Sequence, residues 1–160
     1  MRKVSLFFVW GTVAVVAACA PPQPDVSADE EAIRRVNQTY INMFLAGDAG
    51  RLIEIYDADA VLMPPRQLPV EGLDEIRAWW DSLFARWSVV EASSTLDEII
   101  VVGDWAYGRG RYSDTSLPAD GTDAVVDAGK FSGMWRRQPD GSWKIARDMW
   151  NAAAPPAAGN

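Results

Sequence analysis

Hydrophobic spacing changes character once along this chain, at Trp87, and that change restricts the architecture more than any single motif does. Before it, Ile33, Val36, Tyr40 and Phe44 recur at helical intervals, and so do Ile76, Trp80, Leu83, Phe84 and Trp87. Side chains so spaced share one face of an α-helix. After it, SVVEASSTLDEIIVV, DWAYGRGRYSD, AVVDAGKFSGMWRRQ and SWKIARDMWNA read as strands, parted by GD, TSLPADGTD and PDG. Helices first and strands afterwards imply an α+β domain whose long antiparallel sheet curls around the helices, not alternating βαβ units. Three helices of unequal length on one face of such a sheet leave a conical hollow at its open end.

The helical part divides further. Ser27 or Asp29 can cap the first helix, and AGD ends it with Gly47 at the C′ position. A short helix from Ala49 to Tyr56 turns Leu52, Ile53 and Tyr56 inward, AVLM is a brief strand, and LDEIRAWWDSLFARW is a third helix with Trp80 inward and Trp79 more peripheral. Asp57 and Asp59 of YDADAVLMPP precede that strand, where short polar residues cap local backbone groups. With 160 residues, 49% of them apolar, and eight tryptophans, one domain can bury a real core.

The first residues are of another kind. MRK followed by VSLFFVWGTVAVVAA and a cysteine has the layout of a bacterial export signal. VAAC resembles a lipobox, which implies cleavage before Cys19 and lipid attachment to it. With Ala20 rather than aspartate next, that resemblance implies attachment to the outer membrane, facing the periplasm. The expected division is residues 1–18 signal, 19–28 Pro-rich tether, 29–151 folded domain and 152–160 loose tail. Cys19 has no second cysteine to pair with inside the chain, so the core alone must hold the fold.

Composition excludes several functions. A net charge of −7, becoming −9 once Arg2 and Lys3 leave with the signal, disfavours nucleic acid as a partner. With no histidine in the chain, Ser-His-Asp triads, histidine-based metal sites and a histidine base are ruled out. DTSLPADGTD lacks the spacing of a calcium loop, and no metal or cofactor is expected. Carboxylates remain as acid/base candidates, Asp127 and Asp148 being those on strands near the presumed hollow. Strict alternation puts Trp143, Ile145, Arg147, Met149 and Asn151 on one face and Asp148 on the other, so Asp148 points outward unless a bulge intervenes. Arg109 and Arg111 share a strand face with Trp105 and Tyr107. Inside an apolar hollow they would clamp a carboxylate; on the outer face they would pair with Asp97, Glu98 and Asp127.

The order helix, AGD, short helix, DADAVLMPP, helix, then long strands closing on GKFSGMWRRQPDGSWKIARDMWN resembles the nuclear transport factor 2-like superfamily, in its SnoaL-like and ketosteroid-isomerase-like branch, over about residues 29 to 151. The resemblance implies a cone-shaped fold. It places Tyr40, eight residues before Asp48, where steroid isomerases carry an enolate-binding tyrosine. It also puts Pro64 at the position of their catalytic base and Met63 beside it, so a steroid-isomerase mechanism is not expected. An arginine lies inside the pocket at the position of Arg109 in the related kinase-association domains. The expected lining is Tyr40, Met63, Trp80, Tyr107, Arg109, Arg147 and Asn151. The function so implied is a periplasmic cone that binds a small, partly apolar molecule, anionic where Arg109 lines the pocket. The alternatives are an isomerase, dehydratase or hydrolase with carboxylate chemistry, and an assembly module that forms a homodimer through its sheet.

Overall fold

The structure, a computed structural model, describes residues 26–153. The expected signal, Cys19 and the tail beyond Ala153 lie outside the described residues. Helix α1 (Ser27–Ala46) is followed by α2 (Ala49–Leu52), a single 3-10 turn (Ile53–Ile55), strand β1 (Tyr56–Met63), a short β2 (Val70–Glu71) and α3 (Leu73–Phe84). Four long strands complete the chain: β3 (Trp87–Val102), β4 (Trp105–Pro118), β5 (Val125–Arg137) and β6 (Trp143–Ala152). They form one six-stranded sheet in the order β2-β1-β6-β5-β4-β3, with the helices on its concave face.

Helix α1 ends as its sequence requires, Gly47 taking φ 64° while its N–H reaches back to Phe44. Its start is built differently from what the sequence led one to expect. Val26 holds the cap position without a side-chain bond, and Asp29 is taken by a bidentate ion pair with Arg137 at 2.6 and 2.7 Å. The same carboxylate accepts from the Trp143 indole at 3.2 Å, tying the helix start to the β5–β6 hairpin. Ile33, Leu52, Tyr56, Leu62, Ile76, Trp80, Trp135 and Ile145 form the core between helices and sheet.

Three expectations need correction. The sheet is mixed, since β1 runs parallel to β6; no hairpin joins these two strands, which are far apart in sequence, so nothing local fixes their relative direction. Helix α3 stops at Phe84, and Trp87 opens β3. Strand β1 starts at Tyr56, so both aspartates of YDAD lie within it, in a stretch where register with β6 jumps between Tyr56 and Val61. That irregularity is pinned by side chains. Asp57, fully buried, accepts from Arg136 at 2.7 and 2.9 Å, from Gln138 at 2.7 Å and from the Asp59 N–H at 3.0 Å. Burial pushes the Asp57 pKa up, but these donors outweigh it and hold the carboxyl below its ordinary range.

Asp57→Ala leaves Arg136 and Gln138 without their acceptor and should cost about 2–4 kcal/mol in urea unfolding at neutral pH. Because the folded pKa is depressed, this contribution is full above the unfolded value near 4 and is lost as pH falls below it, so wild type and variant should converge in acid.

Candidate functional site

Between the second half of α1, α3 and the concave sheet face lies a cavity of about 470 Å³. Its walls are largely aromatic. Trp80 sits at the centre, stacked on Phe84 and Trp150 with ring centroids 5.7 and 6.3 Å away, and meets Tyr40 and Phe44 edge to face at 6.0 and 5.9 Å. Phe131, Leu83 and Ile41 extend this apolar surface.

Three carboxyl groups among the described residues border the cavity, those of Asp114, Asp127 and Asp148, and the last is placed there by an irregularity in its strand. In β6, Ile145 pairs with Trp135 and Arg147 with Met134, leaving Ala146 as an extra residue, a β-bulge. Ala146 is buried together with Ile145, and alternation restarts beyond it, so Asp148, Trp150 and Ala152 border the cavity while Met149 is exposed. Asp148 Oδ2 accepts a 2.6 Å hydrogen bond from the hydroxyl of Tyr56, which is fully buried. Asp148 itself is half-buried, its free surface being toward the cavity that it borders. Burial raises its pKa to about 6, against the opposing effect of the Tyr56 hydrogen bond.

Tyr40 borders the same space, and its hydroxyl makes no hydrogen bond among the described residues. Its pKa is pushed well up by burial first, then by the charges of Asp148 and Asp114, so the phenol stays protonated and able to donate. The Trp80 indole N–H lies close enough to Tyr56 to weigh on its acidity yet forms no hydrogen bond of good geometry. A protonatable carboxyl and a free phenol thus converge on the chamber.

Of the residues expected to line the pocket, Tyr40, Trp80 and Arg147 border the cavity. Arg147 gives its guanidinium to the carbonyls of Asp59 and Ala146, at 3.0 and 2.6 Å, so it serves the backbone of β1 and β6. Met63, Tyr107, Arg109 and Asn151 are not part of the lining. Tyr107 and Arg109 stand on the convex face, because the concave positions of β4 fall to Ala106, Gly108, Gly110 and Tyr112. Arg109 pairs there with Glu98 at 2.7 Å and Arg111 with Asp97 at 2.9 Å, so no anion clamp forms in the cone. Asn151 is exposed because the bulge reverses the face of the last residues of β6, and Met63 is one residue out of phase with the inward Leu62.

Asp127, named from sequence as an acid/base candidate, does border the cavity, as does Asp148 once the bulge is counted. Tyr56 was legible only as a core residue and Asp114 only as the last residue of the strand DWAYGRGRYSD and the first of DTSLPADGTD. The adjacent apolar pair Ile145 and Ala146, which breaks alternation, is the signal that could have revealed the bulge.

Fold and cavity together define a cone-shaped α+β domain with an apolar chamber inside the curl of its sheet. Residues 37–147 match the model of the SnoaL-like domain. Among solved structures, a ketosteroid isomerase-like protein from Erwinia carotovora superposes with a TM-score of 0.74 at 23% identity, covering 81% of this chain and 99% of that one. A conserved protein from Planctomyces limnophilus gives 0.71 at 30% identity, covering 79% and 98%. A nuclear transport factor 2-like superfamily protein from Salmonella enterica gives 0.72 at 17% identity, covering 84% and 97%. No curated protein sequence matches the chain. The chain belongs to the SnoaL-like domain family, and its architecture is the nuclear transport factor 2-like cone.

Because the folded pKa of Asp148 lies above the unfolded value, the native state binds the proton more tightly, and stability falls as pH rises from about 4 to about 6. Asp148→Asn has no such penalty. Over that interval the stability difference should move in the variant's favour by on the order of 2 kcal/mol, measured by urea unfolding at both ends. A difference independent of pH would place the carboxyl in water.

Proposed function

We propose that the cone binds a small, partly apolar molecule carrying an oxygen, and that Asp148 exchanges a proton with it while Tyr40 donates a hydrogen bond to the oxygen. The observation that carries this reading is the position of Asp148, a carboxyl raised to about 6 in an aromatic wall beside an unpaired phenol. A group with a pKa just below neutral is ionised often enough to take a proton and basic enough to draw one. A phenol shielded from water stabilises charge developing on a carbonyl or hydroxyl oxygen. Isomerase, dehydratase or hydrolase chemistry can draw on both. The base works from β6, whereas the β1 position of the steroid isomerases is Pro64, fully enclosed here, so the route differs from theirs. With Arg109 on the convex face, the anionic character expected of the ligand loses its support. The periplasm-facing location and the lipid on Cys19 belong to the proposal, motivated by the N-terminal sequence alone.

The test is exchange of acidic C–H protons of small cyclic ketones in D2O, followed by NMR. The purified chain should accelerate exchange with a rate that rises through about pH 6, Asp148→Asn should lower it about 100-fold or more, and Tyr40→Phe should lower it while leaving binding in place. Exchange unaffected by loss of Asp148 would refute the assignment.

The convex face favours a homodimer as the working form. Ile100, Tyr107 and Met134 stand side by side on three neighbouring strands with 49, 37 and 39% exposure, flanked by Val102, Trp105 and Met149. Contiguous apolar surface of this kind is uncommon on a monomer. Sedimentation should give a dimer at micromolar concentration and a monomer for Tyr107→Lys; a monomeric wild type would remove the homodimer from the proposal.

A further inference from the structure

The outer end of the cavity holds a second pair of acids that proton transfer at Asp148 does not use. Asp114 of β4 and Asp127 of β5 are directly opposite one another across the strand pair, and both border the cavity. Ser116 Oγ donates to Asp114 at 3.2 Å and Tyr112 donates to Asp127 at 3.1 Å. Among the described residues neither carboxylate has a cationic partner within ion-pair distance. Like charges facing each other across a sheet destabilise it, so this arrangement works against the fold unless something positive joins it. The surrounding elements offer little relief. Ala92 is opposite Asp114 on β3, the helix contributes Asn37 and Ile41 to the lining, and Arg109 and Arg111 are engaged on the convex side. Arg147 is bound to backbone carbonyls, and Arg66 borders the cavity as an exposed residue of the β1–β2 turn, where water screens its charge.

Away from the pair stands the unpaired Tyr40 hydroxyl, close enough to Asp148 and to Asp114 to feel both charges. The chamber therefore presents one free donor, aromatic faces and two unneutralised carboxylates.

We infer that the occupant of this cavity is an amine: its ammonium group lies between Asp114 and Asp127, its apolar body lies against Phe44, Phe131 and Trp150, and an acceptor oxygen at its other end meets Tyr40. A protonated amine relieves the repulsion between the carboxylates and gains charge-assisted hydrogen bonds from both, while a carboxylate ligand would add a third negative charge. Aromatic walls suit an ammonium-bearing molecule as well as an apolar one. The inference rests on the reading of the cavity as a binding site and adds the class of molecule it takes.

The test uses phenethylamine, phenethyl alcohol and phenylacetate, which share a ring and a short chain and differ in charge. Each is titrated into the purified full chain near neutral pH, with calorimetry and the fluorescence of the cavity tryptophans as readouts. Phenethylamine should bind about tenfold or more tightly than the alcohol, the scale of a charge-assisted hydrogen bond, and phenylacetate more weakly than either. Asp114→Asn combined with Asp127→Asn removes repulsion, so the variant should fold at least as well as wild type, and it should bring the amine down to the affinity of the alcohol. Asp148→Asn should keep the preference for the amine. Equal binding of amine and alcohol by wild type, or a preference that survives the double substitution or vanishes with Asp148→Asn, overturns the amine assignment and leaves the cavity reading standing. Failure of all three probes to bind overturns both.

Discussion

A carboxyl group set into an aromatic chamber must either find a donor or give up its charge, and the site is organised around how Asp148 meets that demand. The Tyr56 hydroxyl supplies one strong bond at 2.6 Å. It comes from the first residue of β1, and β1 can lie beside β6 only because the sheet is mixed. The same region carries the clamp of Arg136 and Gln138 on Asp57 and the bond from Arg147 to the Asp59 carbonyl. Those contacts hold the irregular start of β1 against β5 and β6, and so hold Tyr56 in line with Asp148. The arginine-rich hairpin therefore acts on the cavity carboxyl from the far side of the sheet.

The curvature that makes room for the cavity has its own local cause. On the concave face, a side chain at Gly110 would collide with the Thr95 carbonyl and Phe131, and one at Gly129 would collide with the Asn151 carbonyl and Tyr112. Gly108 and Gly133, paired across β4 and β5, leave space for the Trp135 ring. Glycine in a strand usually weakens it, but here it lets backbones and aromatic rings approach closely enough to bend the sheet. The aromatic rings so seated make up much of the wall that excludes water from Asp148.

The sequence disclosed the layers and their order because helical and strand spacing differ sharply on either side of Trp87. Gly47 as the end of α1 and the inward turn of Trp80 were legible for the same reason: each depends on a few neighbouring residues. What escaped depends on partners distant in sequence. Neither the pairing of β1 with β6 nor the capture of Asp29 by Arg137, 108 residues away, leaves a local trace. Parity along a strand is exact only until a bulge. One inserted residue, Ala146, moved Asp148 from the outer face to the cavity and sent Asn151 the other way. For Arg109 the error was of face: alternation grouped it correctly with Trp105 and Tyr107, but nothing in β4 alone says which of its two faces is concave. The opposite face carries the three small residues Ala106, Gly108 and Gly110, and it is this smallness that lets it lie under packed aromatic rings.

The function proposed for the cavity depends on Asp148 being a cavity carboxyl. Its titration can be followed directly by the side-chain carboxyl carbon resonance in protein labelled at aspartate, assigned by comparison with Asp148→Asn. The structure predicts a midpoint at about 6, with the Asp148 signal separated from those of the solvated aspartates. A midpoint in the ordinary carboxylate range near 4 would mean that the side chain is in water and that the proton-exchanging role proposed for it has no basis.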